Sequence, residues 1–241
     1  MTFLTFIKTF FRQILICVGM ICIFTFSGIY YIVQSWKTPT EDCFDYISKT
    51  QLHKKVLDNV NVFGAGDIQS TTIKRVANIY GSLHVDDSNL HDTNVYGALQ
   101  AKNTSFHELS VNGSAHLENI QIMSGEFFGT VFAKQLTIQE DLSVTGVAIL
   151  YDTTAQVVDF FGSDIYVNNT HIHTLKLKNS DQKPITLHLK NAQIDHMIVH
   201  DTKVKAMVYD EHTHLQTIEG ECTLVHTTID FDHTAHMKET E

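Results

Sequence analysis

Gly64, Gly81, Gly97, Gly113, Gly129, Gly146 and Gly162 follow one another at spacings of 17, 16, 16, 16, 17 and 16 residues. Two residues before each glycine stands an apolar side chain: Val62, Ile79, Val95, Val111, Phe127, Val144 and Phe160. Four residues after come Ile68, Val85, Ala101, Leu117, Ala133, Leu150 and Tyr166. Nine after come Ile73, Leu90, Phe106, Ile122, Ile138, Ala155 and His171, of which only the histidine breaks the apolar rule. A fixed period is the mark of a repeat architecture, and its length decides which kind. Helical repeats need more than about thirty residues to hold two helices and a turn, so this period is too short for them. It does accommodate three short strands with corners between them. Within a row the apolar positions alternate, as in Leu83 and Val85 or Leu99 and Ala101, which is the strand signal.

The economical fold is an all-β solenoid in which each row is one coil. Inward side chains stack into a continuous core, backbone groups pair with the coils on either side, and the glycine turns the same corner each time. A flat antiparallel sandwich is the rival, and constant spacing with in-register apolar columns argues against it. Phe106 and Leu117 are expected to point inward and Lys102 outward. The glycine mark fades after Gly162, but alternation continues in Ile185, Leu187 and Leu189, then Val204, Ala206 and Val208, then Cys222 and Leu224. Residues 179–184, NSDQKP, read as a turn or bulge cluster. A coil domain over 61–229 with a polar tail over 230–241 is expected. Ten or so coils at about 4.8 Å each make a rod of roughly 45–50 Å.

The row motif, an apolar residue, any residue, glycine and then alternating apolar positions, resembles the coils of the bactofilins, the polymer-forming bacterial scaffold proteins. The resemblance covers about residues 61–175. It implies a right-handed parallel β-helix with a hydrophobic core, no cofactor and end-to-end assembly. Bactofilins are mostly cytoplasmic, whereas the front of this chain points elsewhere, and the later coils lack the glycine.

Ile14 to Val33 reads ILICVGMICIFTFSGIYYIV, twenty residues without a charge. A helix of that length spans roughly 30 Å, the thickness of a bilayer's hydrocarbon core. Lys8 and Arg12 precede it, and Glu41, Asp42 and Asp45 follow it. The positive-inside rule then keeps residues 1–13 in the cytoplasm and exports the rest, to the periplasm in a bacterium. A cleaved signal peptide is the alternative, with Thr25 and Ser27 as the small residues before the cut. The apolar run past them favours an uncut anchor over 14–33. Residues 34–60 read as a linker or N-terminal cap, with Phe44, Ile47, Leu52 and Val56 loosely spaced for a short helix.

The formal charge is −10, with 17 basic and 27 acidic residues. No basic patch with interleaved aromatics occurs, so nucleic acid is not an expected partner. Enzyme signatures occur only as fragments. Gly64-Ala65-Gly66 lacks the third glycine of a dinucleotide loop, and His107-Glu108 has Val111 where a zinc-protease helix needs its second histidine. Asp86-Asp87, Glu140-Asp141 and Asp210-Glu211 are adjacent carboxylates, which point to opposite faces of a strand unless they sit at corners.

The fifteen histidines are the remaining oddity. His171 and His173, and likewise His212 and His214, stand two apart and so share one face of a strand. They are candidate metal ligands, although exposed polar residues serve as well, and Ile172 is expected inward between the first two. Such a surface would make self-association responsive to mild acid. The sequence points to a membrane-anchored, non-enzymatic scaffold or interaction protein of the bacterial cell envelope, without cofactor, possible partners being copies of itself, envelope proteins or glycans. The alternative is an envelope carbohydrate-binding or carbohydrate-cleaving β-helix protein, which would need an aromatic platform and paired acids in one groove.

Overall fold

The computed structural model describes residues 43–47, 49–179 and 184–227. The anchor expected over 14–33 and the tail over 230–241 lie outside them. Among the described residues no helix is long and apolar enough to cross a membrane.

Every element is a strand: β1 Cys43–Ile47, β2 Thr50–His53, β3 Val56–Gln69, β4 Thr72–Asp86, β5 Asn89–Tyr151, β6 Thr154–Lys178, β7 Ile185–Val208 and β8 His214–His226. All strand pairings among the described residues are parallel, β1 and β2 both onto β3 and each later strand onto the next. The result is a right-handed parallel β-solenoid of about ten turns. β5 runs for 63 residues because its ladder continues around the corners of several coils. Val62 pairs with Ile79 and Ile79 with Val95, so the pairing offset is the sequence period.

The inward columns form one hydrophobic core from Leu52 to Val208. All seven residues two before the glycines are buried, as are Phe106 and Leu117. The coils begin earlier than the glycines mark. Residues 43–53, read from sequence as linker, cap or short helix, supply β1 and β2, with Cys43 opposite Asn59 and Leu52 opposite Ile68. Leu52 is buried and Val56 is 63% exposed, which is strand burial rather than a helical stripe.

Two corners of each coil need special backbone. Six of the seven glycines make one, with φ from +121° at Gly64 to +143° at Gly113; Gly162 lacks the positive φ, and a Cβ built on it would still lie 2.0 Å from the Gly146 carbonyl oxygen. The second stands six residues on, at Ser70, Asp87, Asn103, Asn119, Gln135 and Asp152, all with φ between 48° and 57°. These residues sit in the left-handed region, where a short polar side chain lessens the cost. A buried hydroxyl follows at Thr71, Ser88, Thr104 and Thr153. The Ser88 hydroxyl donates to the Asp86 carbonyl at 2.8 Å and accepts from the Thr71 amide at 3.1 Å, satisfying backbone that the corner would otherwise strand. The third corner takes up the variable residue: the register slips between Ile73 and Val76 and between Ile138 and Asp141.

One slip corrects two expectations. Gly146 pairs with Gly162, but Val147 pairs with Asp164, so Ser163 is an extra residue. Beyond it every column moves by one. Val167 and Ile172 are buried, not Tyr166 and His171, which turn outward. The later coils are longer: Asp164 pairs with Thr186 and Gln193 with His214. Of the turn expected over 179–184, residues 180–183 lie outside the described residues.

Cys43 lies in the first coil and Cys222 in the last, opposite Val204. That is about nine coils, or some ~40 Å at ~4.8 Å each, whereas a disulfide needs Cα atoms within ~7 Å. Burial also pushes the Cys222 thiol above its ordinary value, opposed by a backbone hydrogen bond at Ala206, which disfavours the reactive thiolate. Mass mapping of oxidised protein should therefore find no intrachain Cys43–Cys222 bond. Finding one would contradict the stacked rod.

Candidate functional site

Outward residues also stack in columns, because each coil repeats the last. Polar side chains meet their counterparts one coil away. Asn78 donates to Asn61 at 2.9 Å, and Asn94 to Asn78 at 3.0 Å. Phe63, Tyr80 and Tyr96 stack at 5.0 and 5.2 Å with ring planes within 6°. Tyr80 and Tyr96 are about half exposed, but in this ladder Tyr80 has an aromatic ring against each face. A sugar-binding platform needs a free ring face, which Tyr80 does not offer.

The histidines singled out by sequence fall into two settings. His171 and His173 flank the buried Ile172 and turn outward, as two-residue spacing requires. His171 Nε2 and His173 Nδ1 each lie 3.0 Å from Asp195 Oδ2, one coil on. The Gln193 amide donates to Asp195 Oδ1 at 2.9 Å. Those bonds, Gln193's first and then those of the two histidines, hold the Asp195 carboxyl down at about 2. The carboxylate oxygen occupies the point between the imidazoles, so the arrangement is a hydrogen-bonded triad. His214 stands in the column of His171 two coils later, with Gln193 between them. His171, His212 and His214 line an open groove of about 330 Å³ with Asp152, Asn169 and Asn191. Asp210 accepts hydrogen bonds from the His212 amide and the Thr213 hydroxyl, closing the turn that carries them.

A different cluster escaped the sequence. His91 Nδ1 lies 2.5 Å and His107 Nδ1 3.8 Å from Asp92 Oδ1, and the two rings stack at 4.1 Å. Among the described residues it is the one group whose three ligand-type atoms lie within 4.8 Å of one another. Along a helix His107 would need its partner four residues away, where Val111 stands. Its partner is sixteen residues back, in the same place on the preceding coil. Asp92 also lines an open groove of about 430 Å³ with Glu108, Glu126 and Asp141, over the buried Gly125.

The adjacent carboxylate pairs all fall at corners or turns: Asp87 in the left-handed corner, Asp141 at the third-corner slip, Asp210 and Glu211 in the turn before β8. Asp86 accepts from Asn103 at 3.4 Å, a structural use.

No family model, curated protein or solved structure matches the chain.

One column carries a pH dependence. His188 stacks on Tyr166 at 4.3 Å, and its Nδ1 lies 2.8 Å from the Tyr209 hydroxyl. Burial pushes the His188 pKa below its ordinary value, against the opposing pull of Asp164. A histidine with a lowered folded value binds fewer protons folded than unfolded. Its contribution is thus present above the unfolded value of about 6.5 and is lost as pH falls through the folded one. Denaturant melts should show stability falling from pH 7 to pH 5, and His188→Gln should flatten that slope. A slope unchanged by the substitution would refute the assignment.

Proposed function

We propose that this chain is a membrane-anchored, non-enzymatic scaffold or interaction protein of the bacterial cell envelope. Residues 14–33 anchor it in the inner membrane, and the solenoid stands in the periplasm. The observation that carries this reading is the unbroken core from Leu52 to Val208. It makes a stiff, repetitive rod whose outward columns can bind along their length. Glycan-cleaving β-helices build their sites from large loop insertions, and the corners here are short. The likeness of the coil motif to bactofilins extends the proposal to self-association through the coil ends. β8 offers such an end, with Ile218 and Leu224 exposed at 36% and 47%.

The carbohydrate reading keeps one supporting observation, the acidic groove of Asp92, Glu108, Glu126 and Asp141. The ring of Tyr80, stacked on both faces by Phe63 and Tyr96, weighs against it.

A reporter fused after Glu241 should be active only outside the cytoplasm. Crosslinking in intact cells should capture the chain with copies of itself or with envelope proteins. A reporter active only in the cytoplasm would overturn the topology, and hydrolysis of an envelope glycan by the purified chain would overturn the non-enzymatic reading.

A further inference from the structure

We propose that His91, Asp92 and His107 form a binding site for one divalent transition-metal ion of the zinc class. The site does not depend on the scaffold reading. It follows from coil arithmetic: the shared place in successive coils sets the two imidazoles side by side, and Asp92 presents its carboxylate to both.

The donor set is two imidazole nitrogens and one carboxylate oxygen, a set zinc-class ions favour over the all-oxygen sets of calcium and magnesium. In a tetrahedral zinc site, bond lengths of about 2.0–2.2 Å place neighbouring donor atoms roughly 3.4 Å apart. The distances from Asp92 Oδ1 to His91 Nδ1 and His107 Nδ1, 2.5 and 3.8 Å, lie on either side of that value. The rings are nearly parallel, at 13°, so they must rotate for both lone pairs to converge. That torsion is broad and soft for histidine.

A second observation points the same way. His107 Nδ1 is enclosed by protein and has no hydrogen-bond partner. A sealed, unpartnered nitrogen is costly and calls for an explanation; a shared ion supplies the missing partner. The three side chains as wholes are 37–46% exposed, so the ring rotation that converges the lone pairs also turns the enclosed nitrogen toward an ion arriving from solvent. Glu108, one coil on from Asp92 in the same groove, adds negative charge beside it. Binding would rivet two coils where the third corner otherwise varies in length.

The experiment is a titration of the purified full-length chain with Zn²⁺ against a chromophoric chelator, and with Co²⁺ followed by visible absorption. One equivalent should bind at pH 7. His91→Gln, Asp92→Asn and His107→Gln should each weaken it by more than about tenfold, while the double variant His171→Gln, His173→Gln keeps it. X-ray absorption of the zinc-loaded wild-type chain should show two imidazoles and one carboxylate, and this holds the test open should a variant fail to fold. Absence of a bound equivalent, an equivalent that survives His107→Gln, or a shell containing sulfur would overturn the site.

Discussion

Replacing Gly97 with alanine should lower folding stability by about 3 kcal/mol or more. Gly97 has φ +142°, and a Cβ built on it would lie 1.9 Å from the Gly81 carbonyl oxygen. Both effects act at once. The conformation belongs to glycine alone, and the obstacle is backbone, which cannot swing aside as a side chain can. Gly113 repeats the contact on the next coil, where its Cβ would lie 1.9 Å from the Gly97 oxygen, so yielding at one coil displaces its neighbours. Asn103, in the other corner of the same coil, is the internal comparison. Its φ of 48° lies in the left-handed region, which costs an alanine only about 1–2 kcal/mol. Chemical denaturation followed by circular dichroism should rank Gly97→Ala well below Asn103→Ala, with Asn103→Gly close to wild type. Equal losses for Gly97→Ala and Asn103→Ala would show that the corner does not depend on close approach.

These two corners explain what could be read from the sequence. The glycine column is legible because one residue type alone meets its demand, and the chain repeats that residue seven times. The left-handed corner is met by Ser70, Asp87, Asn103, Asn119, Gln135 and Asp152. Four residue types share it, with Asp and Asn twice each, so the column hid among ordinary polar positions. Its clearer trace is the hydroxyl that follows at Thr71, Ser88, Thr104 and Thr153, each seven places after a glycine. The column arithmetic failed where the glycine stopped being a fixed marker. Ser163 inserts one residue after Gly162, and a one-residue slip turns every later side chain over. That is why His171 looked like a break in an apolar column when Ile172 continued it. The His91–Asp92–His107 group stayed hidden for a different reason: its members are adjacent across coils, and a search along the chain at helical spacing passes over them.

Phe106→Ala should cost ~3–5 kcal/mol. Phe106 is 3% exposed and stands in the column of Leu90, Ile122 and Ile138, each also buried. The size of the loss depends on how far the surroundings can collapse into the space left behind. Here the ladder on both sides fixes the coils at about 4.8 Å, so the neighbouring side chains cannot approach along the rod. The cavity should persist and the cost should fall toward the upper part of the range. Lys102→Ala is the matched control four residues away. Its ammonium lies 3.3 Å from Glu118, but the two side chains are 49% and 41% exposed, and a pair in such contact with water contributes less than about 1 kcal/mol. Phe128 gives a stricter control, an aromatic of the same size on the outer face and 43% exposed. If Phe106→Ala and Phe128→Ala lowered the denaturation midpoint equally, size rather than inward placement would be setting the cost, and the column register would be wrong. A large loss for Phe106 alone ties stability to the inward columns, the feature that makes a rod of these coils.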